Sequence, residues 1–149
     1  LLALCTTDTF AAGGSLFGVA DLRALATDTH KYESRYLDSM VGPWPEDEQV
    51  YVDRSPITHV ESLSTPMIVL QGDEDAVVPQ AQAELIVAAL RRREIPHAYI
   101  LFEGEQHGFR KAANITRALE ARLAFYGRTL GFDPADDIDL PEFSPGPTI

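Results

Sequence analysis

Two short apolar runs constrain the fold of this chain more than any other feature. They read Met-Ile-Val-Leu at 67–70 and Ala-Tyr-Ile-Leu-Phe at 98–102, and neither alternates with polar residues. An unbroken apolar run of this length is typical of a strand that is covered on both faces in a parallel sheet. A helical segment that opens at Pro79 and ends in the arginines at 91–93 joins the two runs. The order strand, helix, strand predicts an α/β fold with a doubly wound, mostly parallel sheet flanked by helices.

The other segments extend this pattern, with turn residues between them. We expect the tail of a helix at 1–7, a buried strand within 10–19, an interrupted helix at 22–40, short helical pieces between 46 and 64, and a helix from about 114 to 130. Asp21 is expected to cap the helix at 22–40, and Ser55 and Pro56 are expected to begin one of the short pieces.

Apolar residues at helical spacing predict the buried face of each helix. The predicted faces are Leu22, Leu25, Ala26, Tyr32, Tyr36, Leu37 and Met40 in the helix at 22–40, Leu85, Ile86, Ala89 and Leu90 in the helix after Pro79, and Ile115, Leu119, Leu123, Tyr126 and Leu130 in the last helix.

A change of composition after residue 130 divides the chain. Residues 131–149 contain four prolines and five acidic residues, which is typical of an extended or disordered tail. We therefore expect one domain at 1–130 and a Pro/Asp-rich tail at 131–149.

The charge balance excludes two classes of partner. The 149 residues carry 12 Lys+Arg against 23 Asp+Glu, for a net charge of −11. A surface for nucleic-acid phosphates or for an anionic membrane needs the opposite sign. We expect neither partner, and the sequence leaves the oligomeric state open.

The single cysteine, Cys5, follows Leu-Leu-Ala-Leu, which favours a buried and unreactive thiol. One free thiol and the lack of a visible signal sequence favour a cytoplasmic location. The sequence does not begin with Met, so we expect a further N-terminal part of the same chain.

Two polar loops follow the predicted strands and carry the candidate chemistry. In such sheets reactive groups collect at the carboxyl ends of the strands. The first loop holds Asp73 and Asp75, and the second holds His107. A carboxylate that accepts a hydrogen bond from one ring nitrogen of histidine prepares the other nitrogen to take a proton. From the loops alone, either aspartate could serve as this partner.

The residue pattern of the two loops is more specific evidence of function than their position after the strands. Gly72-x-x-Asp75-x-x-Val78-Pro79 is followed, 32 residues after Asp75, by His107 in Gly104-x-x-His107-Gly108-Phe109. This pattern resembles the C-terminal part of the prolyl oligopeptidase family of serine peptidases, and the likeness extends over residues 1–130. The resemblance implies an α/β-hydrolase fold, with Asp75 rather than Asp73 as the acid of a Ser-Asp-His triad and His107 as its base.

The nucleophile of this triad is missing from the sequence. The family places its serine in a Gly-x-Ser-x-Gly turn, and no such pattern occurs here. Ser15 follows Gly13-Gly14, but Phe17 stands where the second glycine of the turn belongs, and the segment has the composition of a strand. We therefore reject Ser15 as the nucleophile and expect the serine shortly before Leu1.

The resemblance implies a serine-type peptidase that hydrolyses peptide substrates through an acyl-enzyme. Two alternatives stay open. An esterase or acylhydrolase uses the same triad on the same fold, and a hydrolase-like interaction module without catalysis would also lack the serine.

No cofactor or metal is expected. The sequence has neither a zinc-type His/Cys spacing nor a phosphate-binding glycine loop. Glu103 and Glu105 near His107 are predicted to be solvated loop charges. His30, His59 and His97 are predicted to be surface or packing residues.

Overall fold

The computed structural model describes residues 1–28 and 35–144, which form a four-stranded sheet with helices on both faces. The strands are β1 (Gly13–Leu16), β2 (Met67–Gly72), β3 (His97–Phe102) and β4 (Phe143–Ser144). The helices are α1 (Leu2–Thr6), α2 (Leu22–Asp28), α3 (Tyr36–Met40), α4 (Glu48–Arg54), α5 (Gln80–Arg92) and α6 (Ala112–Leu130), with a 3-10 helix at Pro56–Ser62. The strand order is β1-β2-β3-β4, and only β4 is antiparallel to its neighbour.

Strand β2 lies between two hydrophobic cores because its side chains alternate between the faces of the sheet. Met67 and Val69 belong to the core formed with α5 and α1. Ile68 and Leu70 belong to the core formed with α6. Every residue of β2 is buried, and each such apolar side chain contributes roughly 1.5–3 kcal/mol. The prediction of a strand covered on both faces is confirmed for 67–70.

The other two predicted strands are less buried than the sequence indicates. In β3 the residue Leu101 is 40% exposed, and β4 pairs only with His97 and Ala98 at the start of β3. Strand β1 is shorter than the predicted 10–19, and its residues alternate between buried and exposed. Within the described residues β1 pairs with β2 alone. It therefore lies at the edge of the sheet and is not fully buried, contrary to the prediction from the sequence.

Helix α6 uses a different face from the predicted one. Four of the five predicted core residues are 41–58% exposed, namely Ile115, Leu119, Leu123 and Leu130, whereas Tyr126 is partly buried. Ala118, Ala121 and Phe125 face the sheet instead. Both sets have helical spacing, and the small alanines allow the helix to approach the strands closely. Among residues 1–28 and 35–144, no helix, including α6 with its apolar stripe, is long and apolar enough to span a membrane.

The predicted buried face of the helix at 22–40 is also wrong in part. Tyr36 and Met40 are 60% and 57% exposed in the separate helix α3. Their spacing relative to Leu22 has no structural meaning because the segment is not one continuous helix. Leu85 of α5 is likewise more exposed than predicted. His30 and Tyr32 lie outside the described residues.

The short helical pieces between 46 and 64 are confirmed, and Ser55 has an additional contact. It precedes the 3-10 helix with Pro56 in the first helical position. Its buried hydroxyl donates to the carbonyl of Tyr51 and accepts the backbone N–H of Leu22 at 2.9 Å. Asp21 accepts the N–H of Arg23 at 2.9 Å, as expected of a cap. Ser55 and Asp21 therefore both stabilise the start of α2.

The C-terminal segment packs on the domain as far as Ser144. Helix α6 ends at Leu130 and is capped by Gly131, whose φ of +80° suits glycine. The ring of Phe143 stacks on Phe125 with centroids 5.5 Å apart, and the guanidinium of Arg128 lies 4.3 Å from the Phe143 ring. Part of the segment predicted as a tail thus forms an edge strand, while residues 145–149 lie outside the described residues.

The lone thiol is buried as predicted. Cys5 is 3% exposed in the core beneath α5. Burial raises the pKa of this thiol, which keeps it protonated and unreactive.

We predict that buried His97 makes stability fall in mild acid. Burial lowers its pKa, against a hydrogen bond in which Nδ1 donates to Ile95, and the charge of Arg91 lowers it further. The unfolded chain therefore binds a proton near the ordinary pKa of about 6.5, whereas the folded chain does not. Stability should be complete above this pH and decline below it. In thermal melts, the melting temperature of His97→Gln should fall less between neutral and mildly acidic pH than that of the wild type. His59→Gln is the control and should fall as the wild type does. An equal fall in His97→Gln would contradict the assignment to His97.

We predict that the isolated 149-residue chain binds the dye ANS, because the stripe on α6 exposes Leu119 and Leu123. The double substitution Leu119→Lys with Leu123→Lys should lower the dye fluorescence. Thr116→Lys, at an exposed polar position of the same helix, is the control. A chain with no ANS signal would show that the stripe is covered in solution.

Candidate active site

The carboxylate of Asp75 is held by its own loop. The side chain is fully buried, and its Oδ1 accepts the backbone N–H groups of Val77 and Val78 at 2.9 and 2.8 Å. These two bonds close a tight turn directly after β2. The second oxygen, Oδ2, remains directed at other partners.

One of these partners is Gln71, a residue that the sequence analysis did not single out. Gln71 is completely buried, and its Nε2 donates to Asp75 Oδ2 at 3.1 Å and to the carbonyl of Val78 at 3.0 Å. A lone amide at the end of an otherwise apolar buried strand was the available signal. Gln71 therefore ties the strand to the loop that carries the acid.

The structure brings Asp75 and His107 together. Nδ1 of His107 lies 3.0 Å from Asp75 Oδ2. An ionised carboxylate only accepts, so Nδ1 carries the hydrogen and Nε2 of the neutral ring holds a lone pair. The His107 side chain is 41% exposed. This pair can take a proton at Nε2 while the carboxylate stabilises the resulting imidazolium.

Asp73, the alternative acid, has another position. Its Oδ1 accepts the backbone N–H of Gly104 at 2.7 Å, and its own N–H donates to the carbonyl of Phe102 at 3.2 Å. Asp73 thus links the two loops through their backbones, while Asp75 contacts the imidazole.

The two loops approach each other closely at Gly72. The N–H of Glu74 donates to the carbonyl of Glu105 at 2.9 Å. A Cβ on Gly72 would overlap that carbonyl and lie 2.7 Å from the carbonyl oxygen of Gln106. Only glycine leaves room for this contact.

The prediction that Glu105 is a solvated charge is wrong. The residue is 1% exposed, and its carboxylate accepts the N–H groups of Arg110 and Lys111 at 2.8 and 2.9 Å and the Asn114 amide at 2.8 Å. Burial raises the pKa of Glu105, but these hydrogen bonds and the Lys111 charge outweigh it and lower the pKa below its ordinary value. The spacing of residues in the sequence does not show that Glu105 is buried, because its donors are brought to it only when the loop folds. Glu103 is exposed, as predicted.

An aromatic wall lies beside the histidine. Phe17 has a φ of +54°, which is rare for a residue with a side chain. Its ring lies 5.2 Å from the ring of His107 and 4.9 Å from that of Phe109. Strained backbone of this kind collects at functional sites. Ser15, two residues earlier, pairs with Val69 within β1, so it occupies a strand as expected and not a strand-to-helix turn.

A cavity of about 280 Å³ opens next to His107. Its lining residues are Glu74, Ala76, Val77, Gln106, His107 and Arg110. The cavity is therefore formed by the same two loops that carry the acid and the base.

His59 and His97 lie away from this pair. His97 starts β3, and His59 has Nε2 2.8 Å from the carbonyl of Asp53. Within residues 1–28 and 35–144, no three His, Cys, Asp or Glu side chains form a group that could hold a metal ion.

Comparison with known proteins identifies similar sequences over nearly the whole chain. The family model of the prolyl oligopeptidase family matches residues 1–133. Dipeptidyl aminopeptidase BIII of Pseudoxanthomonas mexicana is 31% identical over 131 residues, which cover 85% of this chain and 19% of that protein. A probable carboxylic ester hydrolase, LipM of Mycobacterium tuberculosis, is 31% identical over 135 residues, which cover 84% of this chain and 31% of that protein.

The fold is also found in solved structures. A puromycin-hydrolysing peptidase of Mycobacterium tuberculosis is 46% identical and superposes with a TM-score of 0.89. The match covers 95% of this chain and 22% of that one. The chain thus spans about a fifth of the length of the peptidases it matches.

We predict that Gly72→Ala separates the two loops. The overlap with the Glu105 carbonyl should lower the free energy of unfolding by about 1–3 kcal/mol. It should also weaken the downfield NMR signal of the His107 Nδ1 proton, which depends on the bond to Asp75. Gly14→Ala on β1 is the matched control, because its Cβ would overlap a side-chain hydroxyl, that of Tyr126 at 2.6 Å, and no backbone atom. An unchanged Nδ1 signal in Gly72→Ala would contradict the prediction.

Proposed function

The chain belongs to the prolyl oligopeptidase family, and from this premise we propose that it supplies the acid and the base of a serine peptidase. The observation that carries the proposal is the 3.0 Å bond between His107 Nδ1 and the buried carboxylate of Asp75. In this role Asp75 fixes the ring and its tautomer, and His107 transfers the protons. The nucleophile is a serine that precedes Leu1 in the intact protein.

The proposed reaction uses Nε2 of His107 twice. The serine hydroxyl gives its proton to Nε2 as the oxygen attacks the peptide carbonyl, and His107 passes this proton to the amine as the C–N bond breaks. Water then attacks the ester and gives a proton to Nε2. This proton moves to the serine oxygen as the C–O bond breaks and the acid product leaves.

The substrate of this proposal is a peptide. Its support is the peptidase activity named for two of the similar proteins and the cavity beside His107. The His107 side chain is 41% exposed, so the ring is accessible to a bound amide. The proposal includes a cytoplasmic location, with which the free thiol of Cys5 is compatible.

Ester hydrolysis is the second candidate, and the similarity to LipM favours it. The same pair can deprotonate the nucleophile for an ester or an amide, but an amine leaving group needs the proton from His107 more than an alcohol does. Comparison of kcat/KM for a peptide amide and a short acyl ester in the intact protein separates the two. An absence of both activities would favour a non-catalytic interaction module.

We predict that His107→Ala lowers kcat of the intact enzyme by about 10⁶-fold and that Asp75→Asn lowers it by about 10⁴-fold. The first removes the base, and the second favours the wrong tautomer of the ring. Asp73→Asn is the matched control, since an amide oxygen can still accept the N–H of Gly104, and its kcat should stay close to wild type. Near-normal activity of His107→Ala would refute the proposed function.

A further inference from the structure

Glu105 connects three parts of the site through its backbone and its side chain. Its carbonyl accepts the N–H of Glu74 in the acid loop. Its carboxylate binds the start of α6: Oε2 accepts the N–H of Arg110 and Oε1 that of Lys111, both just before the helix, and Oε1 also accepts the amide of Asn114 in the first turn. His107 lies two residues along the chain, inside the loop that these bonds close.

The loop inside this closure has two further supports, a turn around His107 and the ring of Phe109, which lies 4.9 Å from the ring of Phe17 and 4.3 Å from that of Phe102. The N–H of Gly108 donates to the carbonyl of Gln106 at 2.8 Å, which makes a turn around His107, and Gly108 has a φ of +124°. The described side-chain contacts of the His107 ring are with Asp75 and Phe17. The position of the imidazole therefore depends on the packing of Phe109 and on where Glu105 holds the two ends of the loop.

A carboxylate suits the place of Glu105 better than any neutral group. Every partner of its two oxygens is a donor, and α6 directs the positive end of its dipole towards them. In Glu105→Gln the amide nitrogen would face one of these N–H groups, so a donor would meet a donor. The substitution keeps the size of the side chain and removes a hydrogen bond at one end of the loop.

We propose that Glu105 is a positioning residue for His107, whose carboxylate fixes the loop so that Nδ1 stays on Asp75 Oδ2. This inference rests on the proposed function, because it assigns Glu105 an effect on the proposed base. Glu105 does not touch the substrate, so its effect on the reaction passes entirely through the imidazole.

The test compares variants of the full-length enzyme with a peptide amide substrate. Glu105→Gln should lower kcat by roughly 10–100-fold with little change in KM, as a displacement of a catalytic group by about 1 Å does. The NMR signal of the His107 Nδ1 proton should weaken in parallel. Glu103→Gln makes the same chemical change at an exposed position of this loop, and it should leave kcat and the signal unchanged.

A double variant separates positioning from general stability. In the His107→Ala background, Glu105→Gln should change the residual rate by less than about twofold, because residues that act as a unit are non-additive. Its effect on the melting temperature should be the same in both backgrounds. A full additional loss of rate in the double variant would overturn the inference.

Two other outcomes distinguish a failure of the positioning role of Glu105 from a failure of the proposed function. If Glu105→Gln lowers the melting temperature but leaves kcat within about twofold of wild type, Glu105 is structural only and the proposed function stands. If His107→Ala itself keeps its activity, the proposed function fails first.

Should Glu105→Gln not fold, Asn114→Ala removes one of the donors and retains the carboxylate. A fall in its kcat supports the inference, and an unchanged kcat overturns it.

Discussion

The site depends on the parallel register between β2 and β3. This register pairs Gly72 with Phe102, so both strands end at the same level of the sheet and their loops begin about 4.8 Å apart. Asp75 and His107 are 32 residues apart in the chain, yet the register brings them within one hydrogen bond. A slip of one residue would turn every side chain of β2 to the opposite face and remove this contact.

The sequence predicts the parts of the structure that depend on local composition. The buried strand β2, helix α5 and the acid and base loops follow from an apolar run, a helical spacing and a motif. The choice of Asp75 over Asp73 needed the family pattern, because two carboxylates on one loop are alike in composition. The structure adds a physical difference between them, since Oδ2 of Asp75 lies 3.0 Å from Nδ1 of His107, whereas Oδ1 of Asp73 accepts the N–H of Gly104.

The predictions that failed concern contacts whose partners are set by the fold. Helix α6 has two apolar stripes, and the close fit of Ala118 and Ala121 to the sheet selects the one that spacing did not favour. Glu105 has the composition of a surface charge, but three donors from a later turn surround it. The role of Gln71 is likewise not visible in the sequence, because it depends on the hydrogen bond to Asp75 in the next loop. These partners come from other loops, so they are not neighbours in the sequence and no local pattern contains them.

The contacts of Glu105 also bear on the order in which the site can form. Its most distant carboxylate partner is nine residues away in the chain, whereas Asp75 and His107 are separated by 32. Closing the shorter loop costs about 1 kcal/mol less chain entropy. The turn that presents the imidazole can therefore assemble together with the first turn of α6, as a local folding unit. The acid–base pair must wait for β2 and β3 to align, so it is a late reporter of complete folding.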